Sequence, residues 1–160
     1  MKKIDDFREW AKENNWKITL KNNGVNIPKG ILERYSIPKE YRTFLEKIET
    51  CVNESENVWF LCIDDYFPKS KDAFRWNEFE IMSLEAAKDD PNLINGIRNF
   101  WNKHFPIIMS VKGEYEYFAI NVDNNKIVYG YEPEFEESNK IIANNFEDFL
   151  DKIVNEEIEL

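Results

Sequence analysis

Between residues 107 and 131 apolar residues recur at every second position, in three stretches parted only by short turns. Residues 107–111, 115–122 and 126–131 therefore read as strands, with Lys112-Gly113 and Asn124-Asn125 between them. Asn tolerates the positive φ that a tight hairpin requires. Strands joined this closely pair antiparallel, because a parallel crossover needs about a dozen residues or more. This one segment commits the chain to an antiparallel sheet.

The remaining residues must cover that sheet, and most of them carry helical spacing. Ile4, Phe7, Trp10 and Ala11 predict a helix over 3–14. Trp16, Ile18 and Leu20 alternate as a short strand that stops at Asn22-Asn23-Gly24. Pro38 opens a helix whose Tyr41, Phe44, Leu45 and Ile48 form one apolar stripe. The run Val58-Trp59-Phe60-Leu61-Cys62-Ile63 reads as a strand buried on both faces. Residues 66–82 scatter Phe67, Phe74, Trp76 and Phe79 among charges with no clear period, and Ser83 is a candidate cap for a short helix.

Asp90-Pro91 starts a helix with Leu93, Ile94, Ile97, Phe100 and Trp101 on its apolar face. Gly96 inside it costs about 1 kcal/mol against Ala, so this helix needs tertiary support. Ile141 and Ile142 suggest a last strand, and Asn145 caps a final helix bearing Phe146, Phe149, Leu150, Ile153 and Val154. The order predicts one α+β domain over 1–160. Its core is a mainly antiparallel twisted sheet of about five to six strands with flanking helices at both termini.

Charge is what sets this chain apart from a generic α+β domain. The net charge is −10, and residues 114–160 account for all of it, with 3 lysines against 13 acidic residues. Nucleic acid and anionic membrane surfaces both require a basic face, so neither is expected as a partner. A basic protein partner would be attracted, although acids also simply keep a small domain soluble. No apolar run approaches the roughly 20 residues of a membrane span, and Lys2 and Lys3 are not followed by a secretory apolar stretch. Two cysteines are too few for a disulfide framework, which suits a reducing, cytoplasmic setting.

Residues suited to catalysis are sparse. His104 is the only histidine, so any Ser-His or Cys-His device must use it; placed near a helix C-terminus, its charged form is favoured. Cys62 reads as a packed core thiol, while Cys51, just past a helix, is expected to be more accessible. The cysteine spacing matches no zinc pattern, and the five glycines form no phosphate loop. Asp64 and Asp65 end a strand, where a carboxylate or hard-cation site can form with Glu132 or Glu134. Tyr115 and Tyr117 on one strand and Tyr129 and Tyr131 on the next are expected to share a sheet face. Of these, Tyr117 and Tyr129 are expected under a helix and Tyr131 at an interface.

Ile37-Pro38-Lys39-Glu40-Tyr41-Arg42-Thr43-Phe44-Leu45 resembles the "[LI]-P-x-x-Y-x-x-F-L" helix of the SUKH superfamily. Phe105-Pro106-Ile107-Ile108, the strands at 115–121 and 126–131, and the 146–153 helix resemble that superfamily's second half. Asn121 stands where an Asp is common, and Val128-Tyr129-Gly130-Tyr131 where a Tyr-Tyr-Trp-like run is usual. The resemblance implies an α+β fold and no enzymatic activity. Its bacterial members look like immunity proteins that neutralise a toxin, often a nuclease; its eukaryotic members look like regulators of cell-wall assembly.

The expectation is therefore a non-enzymatic immunity protein that binds a basic toxin domain, without cofactor, metal or catalytic residues. Its expected partner-binding residues are Tyr131, Glu132, Glu134, Phe135, Glu136 and Glu137, together with Asp64 and Asp65. An intracellular adaptor and a metal-dependent hydrolase built on Asp64, Asp65 and the 132–137 glutamates are the alternatives.

Overall fold

The computed structural model describes residues 2–22, 24–68, 70 and 73–160. Asn23 of the Asn22–Gly24 stop, and Lys69, Lys71 and Asp72 of the 66–82 stretch, lie outside the described residues. Among the described residues seven strands form one sheet: β1 (Lys17–Leu20), β2 (Ile48–Val52), β3 (Val58–Phe60), β4 (His104–Ser110), β5 (Glu116–Asn121), β6 (Ile127–Tyr131) and β7 (Asn139–Ala143). Their order in the sheet is their order in the chain, and every neighbouring pair is antiparallel. The strand that the sequence reading lacks is β2. Ile48 completes the apolar stripe of the preceding helix, yet it caps that helix and begins the strand.

One side of the sheet is covered by α1 (Lys2–Glu13), α3 (Lys39–Lys47) and α6 (Phe146–Val154). Alternate residues of β5 fall on opposite sides, and Phe118 meets Phe149 of α6. Phe44 sits amid the rings of Phe7, Tyr41, Phe60 and Phe146, and none of it is exposed. The helix-α3 motif is thereby explained. Pro38 is the N-cap, Phe44 fills the core, and the Tyr41 hydroxyl lies 2.5 Å from the Leu61 carbonyl and 2.8 Å from the Tyr66 hydroxyl. Tyr66 in turn donates to the Pro106 carbonyl. Pro106 is tolerated in a central strand because the β4–β5 register shifts there. Burial pushes both tyrosine pKa values well up, so these hydroxyls stay donors.

The other side carries α4 (Glu78–Ala86) and α5 (Pro91–Lys103). Asp90 caps α5 by accepting from the Asn92 and Leu93 amides, and Asn145 caps α6 by accepting from the Asp148 amide. Ser83 lies inside α4 and does not cap it; Asn77 precedes the first turn. A short α2 (Lys29–Arg34) ties the layers together. The adjacent Tyr35 packs on Phe105 and donates to the Trp101 carbonyl, while Arg34 binds Glu80.

The tyrosine pairing differs from expectation. Tyr117 lies opposite Gly130, and Phe118 opposite Tyr129. Tyr115 and Tyr117 therefore face α4 and α5, whereas Tyr129 and Tyr131 face the α6 side. Tyr117 is buried as expected, but Tyr129 is only half-buried, at the rim of α6. Cys51 is buried in β2 rather than accessible, because it belongs to the strand the helical stripe concealed.

Candidate functional site

The link from β6 to β7 is acidic, and it is pinned at several points along its length. The Glu132 amide donates to the Tyr115 carbonyl, and the Glu132 carboxylate accepts from the Tyr115 amide at 2.8 Å. The Glu132–Pro133 peptide is cis. Glu137 and Ser138 donate back to the Glu134 carbonyl, closing a turn. At its centre Phe135 is 2% exposed and stacks on Phe79 of α4, with ring centroids 4.4 Å apart. Its carbonyl accepts from the Tyr117 hydroxyl at 2.5 Å. That bond crosses β6, and Gly130 is what allows the crossing. A Cβ at Gly130 would stand 2.4 Å from the Tyr117 ring.

Pinning separates the roles of the loop residues. Phe135 is a core anchor, while Glu134 and Glu137 are exposed. Glu136 is half-buried, with its carboxylate accepting from Ser83 at 3.0 Å. Burial raises its pKa above the usual carboxylate range, and the Ser83 bond opposes that shift.

Beside the loop is an open groove of about 490 Å³. Pro133, Glu134, Glu136 and Glu137 form one wall; Ser83, Ala86 and Ala87 of α4 form another. The floor is α5, through Leu93, Gly96, Ile97 and Phe100 at positions i, i+3, i+4 and i+7. Ile97 is buried, but Leu93 is 50% exposed, so the α5 stripe is not covered along its whole length. The sequence places Leu93, Ile97 and Phe100 on the apolar face of this helix, with Ile94 and Trp101, and does not distinguish a groove from the rest of that face. The signal that it is not wholly core is Gly96, a helix-weakening residue with no neighbour close enough to demand it.

The remaining expected site residues lie elsewhere. Tyr131 is 40% exposed, and its ring turns to the opposite side of the sheet, against Tyr129. Asp64 and Asp65 lie in a 3₁₀ turn (Ile63–Tyr66) and line a separate hollow with Glu49, Glu56, Trp59 and Phe74. Asp65 caps that turn by accepting from the Cys62 amide at 2.8 Å. The aspartates and the loop glutamates thus do not converge. Among the described residues, no group of three or more His, Cys, Asp or Glu is arranged to hold a metal ion.

His104 begins β4, and Nδ1 lies 2.7 Å from the Phe100 carbonyl. Burial lowers its pKa and outweighs the helix-end carbonyl that favours the charged form, contrary to the sequence expectation. Burial also pushes both thiols up, which keeps them protonated and unreactive. No helix among the described residues is long and apolar enough to cross a membrane.

The SUKH_6 family model, described as SMI1-KNR4 cell-wall, matches residues 33–150, well over half of the chain. The match runs from the end of α2 into α6 and includes both the α3 motif and the acidic loop. No curated protein and no solved structure matches the chain.

Proposed function

The chain belongs to the SUKH superfamily, and on that premise we propose that residues 1–160 act as one immunity domain that binds and neutralises a basic toxin. The family consists generally of non-catalytic immunity and regulatory proteins that work through protein partners. The observation that carries the reading is the acidic loop held rigid by Phe135, Glu132 and Tyr117. A disordered acidic tail would be enough for solubility, whereas a pinned one presents its charges at fixed positions. Its location within the segment that holds all of the −10 excess favours a positively charged partner. A nuclease toxin fits best, because an enzyme that grips phosphates must itself be basic.

The test is protection of cells expressing the toxin encoded beside this protein's gene. Charge reversal of the exposed Glu134 and Glu137 to lysine, which leaves the Glu132 pin in place, should slow association, flatten its salt dependence and abolish protection. Unchanged association and protection would remove the loop from the interface.

A further inference from the structure

We propose that the groove between α4, α5 and the 133–137 wall receives a basic segment of the partner that inserts an aliphatic or aromatic side chain onto Gly96. The inference rests on the toxin-binding reading but assigns it a distinct anchor on α5, a helix outside the charged loop.

Three observations select this occupant. The floor is apolar and Leu93 is half exposed within it, so an inserted hydrocarbon would remove surface from water. One wall holds three glutamates, Glu134, Glu136 and Glu137, and among the described residues no lysine or arginine lines the groove. An apolar anchor flanked by lysine or arginine therefore meets complementary charge. A second copy of this chain, itself at −10, would meet like charge. Gly96 leaves open the space that a side chain would fill: beyond its own helix, a Cβ there touches none of the described residues within 4 Å. No turn, positive φ or close packing calls for a glycine at this position. Its physical effect is to lower the floor of the groove.

The probe is a short fluorescent amphipathic peptide of leucine and lysine, titrated onto the full chain by anisotropy, with a lysine–serine peptide of equal charge as control. The leucine–lysine peptide should bind more tightly than the control. Gly96→Leu should weaken it by about tenfold or more, the order expected for losing one buried leucine-sized contact. That variant should melt no lower than the native chain, since its side chain enters open space. Glu134→Gln with Glu137→Gln should weaken binding and flatten its salt dependence. If Gly96→Leu misfolds, Leu93→Ser makes the same test from a half-exposed position.

Equal binding to the native chain and Gly96→Leu would overturn the proposal, as would equal binding of both peptides. A native dimer abolished by Gly96→Leu in sedimentation equilibrium would also overturn it, since a second copy would then fill the groove. Protection that survives Gly96→Leu but not charge reversal would sink the groove and spare the immunity reading. A native chain that fails to protect would sink the immunity reading, and the peptide titration would still decide the groove.

Discussion

The two sides of the sheet use the same kinds of residue to different ends. On the α1, α3 and α6 side, Phe7, Phe44, Phe60 and Phe146 interlock, and Ile4, Leu45, Phe149 and Ile153 of the three helical stripes are buried with them. On the α4 and α5 side, Phe79, Trp101, Tyr117 and Phe135 pack as tightly at the centre, but the α5 stripe runs on into solvent at Leu93. On the first side the partly open residues, Tyr129 and Tyr131, belong to strand β6 at the rim of α6, whereas on the second the open residue, Leu93, belongs to a covering helix. Both layers thus bury a tight aromatic centre, and the second also keeps helical apolar surface exposed at Leu93.

Core truncation gives the largest expected contrast. Phe44→Ala should cost about 3–5 kcal/mol in urea unfolding, as a fully buried aromatic with rings on all sides. A cost below that of exposed Leu93→Ala would break the distinction between the sides. Gly130→Ala should cost about 1–3 kcal/mol by overpacking, since its Cβ meets the Tyr117 ring. It should also speed proteolysis of the 132–138 loop, because Tyr117 must leave the Phe135 carbonyl. Gly96→Ala should instead raise stability by about 0.5–1 kcal/mol, since the helix gains a better former and nothing is displaced.

The smallest effect is a pH dependence at Glu136. Its folded pKa lies above the usual value, so the folded state holds the proton more tightly than the unfolded one. Its contribution to stability is then fully present below the usual carboxylate pKa and is lost as pH rises through the raised value. Glu136→Gln should remove that decline, and melting curves of the two proteins should diverge as pH rises across this window. Parallel curves would mean that the half-buried carboxylate is as well solvated as an ordinary surface acid.

Local signals were legible in the sequence, and their success follows from short range. Asp90 and Asn145 are visible as caps because a cap is satisfied within three residues. The β4–β6 meander is visible because its turns are short. The α4 helix was hidden because Glu78–Ala86 carries no single apolar stripe; its Phe79 packs at the centre of a layer assembled from distant segments. β2 was hidden behind a helical period that Ile48 happens to complete.

The tyrosine faces were readable and turn on parity. A turn with an even number of residues, here 122–125 between Asn121 and Lys126, pairs odd-numbered residues with even-numbered ones, so Tyr115 and Tyr117 cannot share a side with Tyr129 and Tyr131. Phe135 read as a surface aromatic because acids surround it, whereas those acids mark a turn that drives its ring inward.

The bridge from Tyr117 over Gly130 to Phe135 has an evolutionary consequence. It fixes the path of the loop through three positions that tolerate little change. Glu134 and Glu137, between and beside these fixed points, bear on no core contact and are exposed. Substitutions there alter the charge displayed while the backbone that displays it stays put. A lineage can therefore change the charge this loop displays by single steps, without passing through an unfolded intermediate sequence.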